Sequence, residues 1–199
     1  MKPLLLLCAF LTLLVVSLDV AAQRPGPQFR RPLACEPVEP RTKLEAIEGQ
    51  YERVLIKGFT RIATLNIRGA EIRLDAVELK DAASSTRAMG ITVAMREEGE
   101  RPSENRAFVD YEELDPLIRA IDVVSKVSES STKLVGFEAR YRTVGDLDIA
   151  VFRQGRASGT AASITTGICD RVTGLLTLDE LERFRAHLGE AKARLDEIK

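Results

Sequence analysis

Residues 137–153 read FEARYRTVGDLDIAVFR and open with the cleanest strand pattern in the chain. Phe137, Ala139, Tyr141 and Thr143 fall on one side of an extended chain; Glu138, Arg140 and Arg142 fall on the other. Side chains alternate between faces only in a strand, so an apolar face meets a core and a charged face meets water. Gly145-Asp146 then offers a tight turn, and Leu147 to Arg153 (LDIAVFR) returns as a second strand. The pattern predicts a β-hairpin in an antiparallel sheet with at least one solvated face.

Working outward, further strand patterns appear on both sides. YERVLIK (51–57) and TRIATLNI (60–67) read as two strands split by Gly58, and EIRLDAVELK (71–80) alternates clearly. Within the latter, Ile72 and Leu74 share a face while Val77 and Leu79 share the opposite parity, which predicts a β-bulge or sharp bend near Asp75-Ala76. MGITVAMR (89–96) places Ile91, Val93 and Met95 together, and Ala107 to Tyr111 is a short strand leading into a helix. The polar stretches 82–86 and 98–106 read as loops. Beyond the hairpin, residues 160–168 and 171–176 give one or two more strands.

Two segments carry helical periodicity. Asp115-Pro116 is a start signal, and Leu114, Leu117, Ile121 and Val124 form one stripe opposite Arg119, Asp122 and Lys126, giving a helix at about 115–127. Asp122 and Lys126 form a favourable pair four residues apart. Thr177 with Glu180 forms a capping box before Leu181, Phe184, Leu188, Ala191, Leu195 and Ile198, giving a helix over 178–199. The class is therefore α+β: an antiparallel sheet with two amphipathic helices packed on it, a closed or strongly curled sheet being the main variant. No internal repeat is visible in the sequence.

The N-terminus has a different character. Lys2 precedes an apolar run from Leu4 to Leu18, and Val20-Ala21-Ala22 offers small residues before Gln23. This is the layout of a secretory signal over 1–22, too short in its apolar part to span a bilayer. Residues 23–42 are a proline-rich extended arm, and 43–199 are a single α+β domain. The expected location is periplasmic or secreted, and the alanine-rich cleavage site suggests a bacterial source. After the signal no apolar run is long enough to cross a membrane. Cys35 and Cys169 remain in an oxidising compartment, where a disulfide between them is expected.

Composition narrows the function. With 29 Lys and Arg against 30 Asp and Glu, no Trp and three Tyr, the chain lacks the charge and aromatic surface of nucleic-acid binders. Asp110, Glu112, Glu113 and Asp115 form the densest acidic cluster, but they lack the spacing of a calcium loop and sit where a helix begins. His187, the only histidine, lies at the edge of an apolar helical stripe, with no nucleophile or carboxylate pattern beside it. No metal-ligand, phosphate-loop or dinucleotide pattern occurs, and no cofactor is expected. Arg140 and Arg142 could join other strand arginines in a basic strip for an anionic ligand or partner, although nearby glutamates make a mixed solvated face the simpler expectation. The leading expectation is an exported, non-catalytic binding or accessory protein acting on a protein partner or small ligand. Two alternatives are a hydrolase using Asp110, Glu112 or Glu113, and a carrier with an apolar cavity under the sheet.

Overall fold

A computed structural model describes residues 39–153 and 159–199. The expected signal, most of the proline-rich arm, and Cys35 lie outside the described residues. The chain begins with a short helix α1 (Lys43–Glu48), followed by β1 (Leu55–Ile67), β2 (Ala70–Asp81), β3 (Arg87–Glu97), β4 (Glu104–Asp110) and helix α2 (Tyr111–Val124). It continues with β5 (Glu138–Arg142), β6 (Leu147–Arg153), β7 (Thr160–Thr166), β8 (Val172–Leu176) and helix α3 (Leu178–Asp196). The class is α+β. In place of one curled sheet there are two four-stranded antiparallel sheets, ordered β1-β2-β3-β4 and β5-β6-β7-β8.

A unit of four meandering strands and one helix thus occurs twice, a repeat of topology that the sequence does not display. Each helix lies against its own sheet and reaches the other: α2 touches β3 and β4 and also β5 and β6, while α3 touches β7 and β8 and also β1, β2 and β3. One core fills the space between. It takes Ile72, Leu74, Ile91, Val93 and Met95 from the first sheet and Ile149, Val151 and Ile164 from the second. The helices add Leu114, Leu117, Ile121, Leu181, Phe184 and Leu188. Burying such side chains is worth about 1.5–3 kcal/mol each.

A smaller core explains the parity change in β2. Strand β2 pairs with β3 in unbroken register, so it carries no bulge. Ile72, Leu74 and Ala76 face the main core, whereas Val77 and Leu79 turn the opposite face to Leu44 and Ile47 of α1 and to Ala88 and Phe108. The strand simply passes from one covered face to another. The bulge sits on the neighbouring strand, where the β1–β2 register shifts between Arg61 and Ala63. Strand β1 itself runs unbroken through Gly58, so the two strands expected there are one.

The helix boundaries follow their caps. Helix α3 starts at the expected box: Glu180 N–H donates to Thr177 Oγ1 at 3.2 Å, and Thr177 N–H donates to Glu180 Oε2 at 2.8 Å. Helix α1 uses the same device at Thr42 and Glu45. Helix α2 begins four residues before the expected Asp115, with Asp110 at its cap and Pro116 inside it.

Asp122 feels the charge of Lys126, but its main partner is on another helix. Arg185 of α3 grips it through two hydrogen bonds, Nε to Oδ1 at 2.6 Å and Nη2 to Oδ2 at 2.9 Å, tying the two helices together. The Arg185 hydrogen bonds hold the Asp122 carboxyl below its usual range. A carboxylate with a lowered folded-state pKa contributes stability above its unfolded pKa of about 4, and that contribution is lost as pH falls through the folded value. The denaturation midpoint of the wild type is therefore expected to fall steadily below about pH 4. Asp122→Asn should start lower at neutral pH and lose less on acidification, as urea titrations at pH 7 and pH 3 would reveal; parallel curves would refute the assignment.

Candidate functional site

Strand β1 is rich in β-formers (LIKGFTRIATLNI) and, among the described residues, is paired along one side only, by β2. Residues 56–61 are exposed throughout. On one face Leu55 reaches the small core under α1, but Phe59, four residues further along the same face, is 66% exposed. On the other face Ile56 is 55% exposed. Gly58 and Thr60 line a cleft of about 430 Å³ between β1, β2 and the end of α3, closed on the helix side by Leu195 and Ile198. The Nη2 group of Arg87 donates to the Ile198 carbonyl oxygen at 2.6 Å and fixes that end of the chain beside the cleft. The two cations of β1 are each matched: Lys57 Nζ lies 2.9 Å from Glu48, and Arg61 pairs with Asp75 opposite it.

The other sheet edges are covered or blunted. Gly145, in the β5–β6 turn, abuts the Phe108 carbonyl of β4 so closely that no side chain would fit. Strand β5 is five residues long and alternates Glu138, Arg140 and Arg142 outward. Strand β8 meets the β1–β2 turn, where Leu175 N–H donates to the Arg68 carbonyl oxygen at 2.9 Å. Natural sheets protect their edges in such ways because an open edge templates another strand. Among the described residues, β1 is a long edge left open and flanked by exposed apolar side chains.

The residues singled out from sequence have other partners. Asp110 accepts from the backbone N–H groups of Lys43 and Leu44 at 2.8 and 3.2 Å, capping α1 from a distance. Glu112 pairs with Lys43 Nζ at 2.5 Å, and this hydrogen bond lowers its pKa. Glu113 Oε1 accepts from the Val144 N–H at 3.0 Å. The other oxygen, Oε2, is buried with no hydrogen-bond partner among the described residues. Burial, followed by the Glu113 charge, pushes up the pKa of Tyr141. The three carboxylates thus serve three different contacts.

Arg140 and Arg142 lie on the outer face of the second sheet within a lattice of charges. Asp146 accepts from Arg41 and Arg142, both at 3.0 Å, while Asp148 lies 3.4 Å from both Arg140 and Arg171. Arg140 also pairs with Glu138 at 2.8 Å. This is the mixed face, with cations and buried carboxylates interleaved. Arg41 and Arg171 belong to it but come from distant loops, so only tertiary structure assembles them. His187 pairs with Glu190 one helical turn away at 3.0 Å. Cys169 lies in the β7–β8 connection, where its carbonyl accepts from Asn105 Nδ2 at 2.9 Å. No group of three or more potential metal ligands occurs among the described residues, and none of the described helices is long and apolar enough to cross a membrane.

The space between the sheets is filled by large side chains such as Phe184, Met95 and Ile149, all fully buried. The clefts among the described residues open at the surface. No known protein family, curated protein or solved structure matches the chain.

Proposed function

We propose that this is an exported, non-catalytic binding or accessory protein that engages another polypeptide by strand addition along β1. The observation that carries this reading is the open outer edge of β1, thirteen residues long, with Ile56 and Phe59 exposed on its two faces. Backbone groups on such an edge supply affinity through hydrogen bonds, and alternate side chains supply selectivity. Export to the periplasm or the medium is supported by the secretory layout of residues 1–22. A cystine between Cys35 and Cys169 would suit that compartment. Asp110, Glu112 and Glu113 are engaged in separate contacts, and the core among the described residues is filled by large side chains, which supports binding over the hydrolase and carrier alternatives.

Site-specific photo-cross-linking in the native host tests the reading. A photoreactive phenylalanine analogue at position 59 is expected to give a discrete adduct with a polypeptide. The same analogue at Val135, exposed in the connection between α2 and β5, should give none. Equal or absent labelling from the two positions would overturn strand addition at this edge.

A further inference from the structure

We infer that the strand added to β1 is the β1 of a second copy of this chain, running antiparallel about a two-fold axis at Gly58. This rests on the reading of β1 as a docking edge and names its occupant. The part of β1 free of irregularity runs from Leu55 to Arg61, because the register shifts between Arg61 and Ala63. Gly58 is the midpoint of that window.

Charge rules out the registers on either side of Gly58. When two identical strands pair about an axis normal to the sheet, residues opposite one another share a face, so the axis passes through a residue position. An axis at Lys57 sets two lysines face to face. An axis at Phe59 sets Lys57 against the second copy's Arg61. Like charges directly opposed in a sheet are destabilising. An axis at Gly58 avoids both conflicts. Lys57 then lies opposite the second copy's Phe59, a favourable cation–aromatic pairing. Leu55 lies opposite Arg61, and Ile56 lies opposite Thr60. Thr60 lines the cleft beside Ile198, so the second copy's Ile56 adds an apolar wall to it.

Gly58 supplies a second, independent reason. A glycine inside a strand weakens it, and such glycines often mark the close approach of another backbone. Among the described residues nothing requires this one. Its φ lies outside the left-handed region, and a Cβ there would come no nearer than 3.9 Å to any atom, the nearest being Glu78 Oε2. On the proposed axis, Gly58 is the residue that meets its own copy.

Sedimentation velocity on the mature protein, from roughly 100 µM down to roughly 1 µM, tests the inference. Twice the mass of one chain is expected at the upper concentration. Phe59→Lys should weaken the dimer at least about tenfold, because it opposes two lysines on each side of the axis. Adding Lys57→Gln to Phe59→Lys should restore association to within about threefold, because like charges are then no longer opposed and no second carboxylate is brought against Glu48, the partner of Lys57. Both positions are solvent-exposed, and thermal melts would confirm that each variant is folded. A wild type monomeric at the upper concentration, or a folded Phe59→Lys protein that still dimerises, overturns the inference. Failure of the double variant to recover overturns the register. If the wild type is monomeric while position 59 still cross-links to a different polypeptide, strand addition stands and self-pairing falls. If neither is seen, both fall.

Discussion

Phe184→Ala should lower the stability of the domain by about 3–5 kcal/mol, the usual cost of removing a fully buried aromatic ring. Phe184 is fully buried on α3 and belongs to the core that both sheets share. Helix α3 rests on β7 and β8 of its own sheet and on β1, β2 and β3 of the other. A cavity at Phe184 is therefore walled by both halves of the molecule, and neither half can collapse into it without leaving the other. Domains of this size have total stabilities of about 5–15 kcal/mol, so the loss should bring the melting midpoint down by roughly 10–15 °C. Calorimetry or a circular-dichroism melt checks it. A loss below about 1 kcal/mol would mean that the helix does not seal the space between the sheets.

The second large effect is expected at Gly145. Its φ is ordinary, so strain in the backbone is not the issue. The issue is space: an added Cβ would collide with the Phe108 carbonyl oxygen and stand 2.8 Å from Thr42 Cγ2. The first of these is backbone of β4 and cannot rotate away. The second belongs to the residue that caps α1. Gly145→Ala must therefore push the β5–β6 turn off the edge of the first sheet or displace the start of α1. A cost of about 3 kcal/mol is expected, at the upper end of the range for overpacking. Gly189→Ala makes an opposite-sign control. It lies within α3 with nothing within 4 Å of the added methyl, and alanine there should add about 1 kcal/mol. Equal behaviour of the two variants in chemical denaturation would contradict the close approach at Gly145.

Most strands and the final helix were legible because their signals are local. The alternation of FEARYR places Ala139 and Tyr141 inward and Arg140 and Arg142 outward, as found. The Thr177–Glu180 box marks the start of α3. Helix α1 carries the same box at Thr42 and Glu45, but its six residues hold only Leu44 and Ile47 as buried positions, too few for a periodic signal. Asp115-Pro116 resembles a helix start. However, Asp110, at the end of β4, begins the helix earlier, and the chain tolerates Pro116 in its second turn.

Tertiary facts were beyond sequence reasoning. Whether β4 pairs with β5, making one sheet, or is separated from it, making two, depends on where α2 lies. The change of parity in β2 resembles a bulge until α1 is seen covering the second face. Gly58 resembles a break between strands because glycine is a poor strand former, yet it occupies the middle of one. Ile56 and Phe59 resemble core residues, since nothing in their type reveals that β1 is an outer strand. That displacement of apolar residues from core to edge is the observation on which the proposed strand addition rests, and only the sheet order exposes it.

Hydrogen exchange along β1 is the most direct measurement of its role. Concentrated protein, or protein held with its natural partner, should protect amides within residues 55–61 that exchange freely in dilute isolated protein, while amides of β3 exchange slowly in both. Equal, rapid exchange of the outward-facing β1 amides under both conditions would contradict a docking role for this edge.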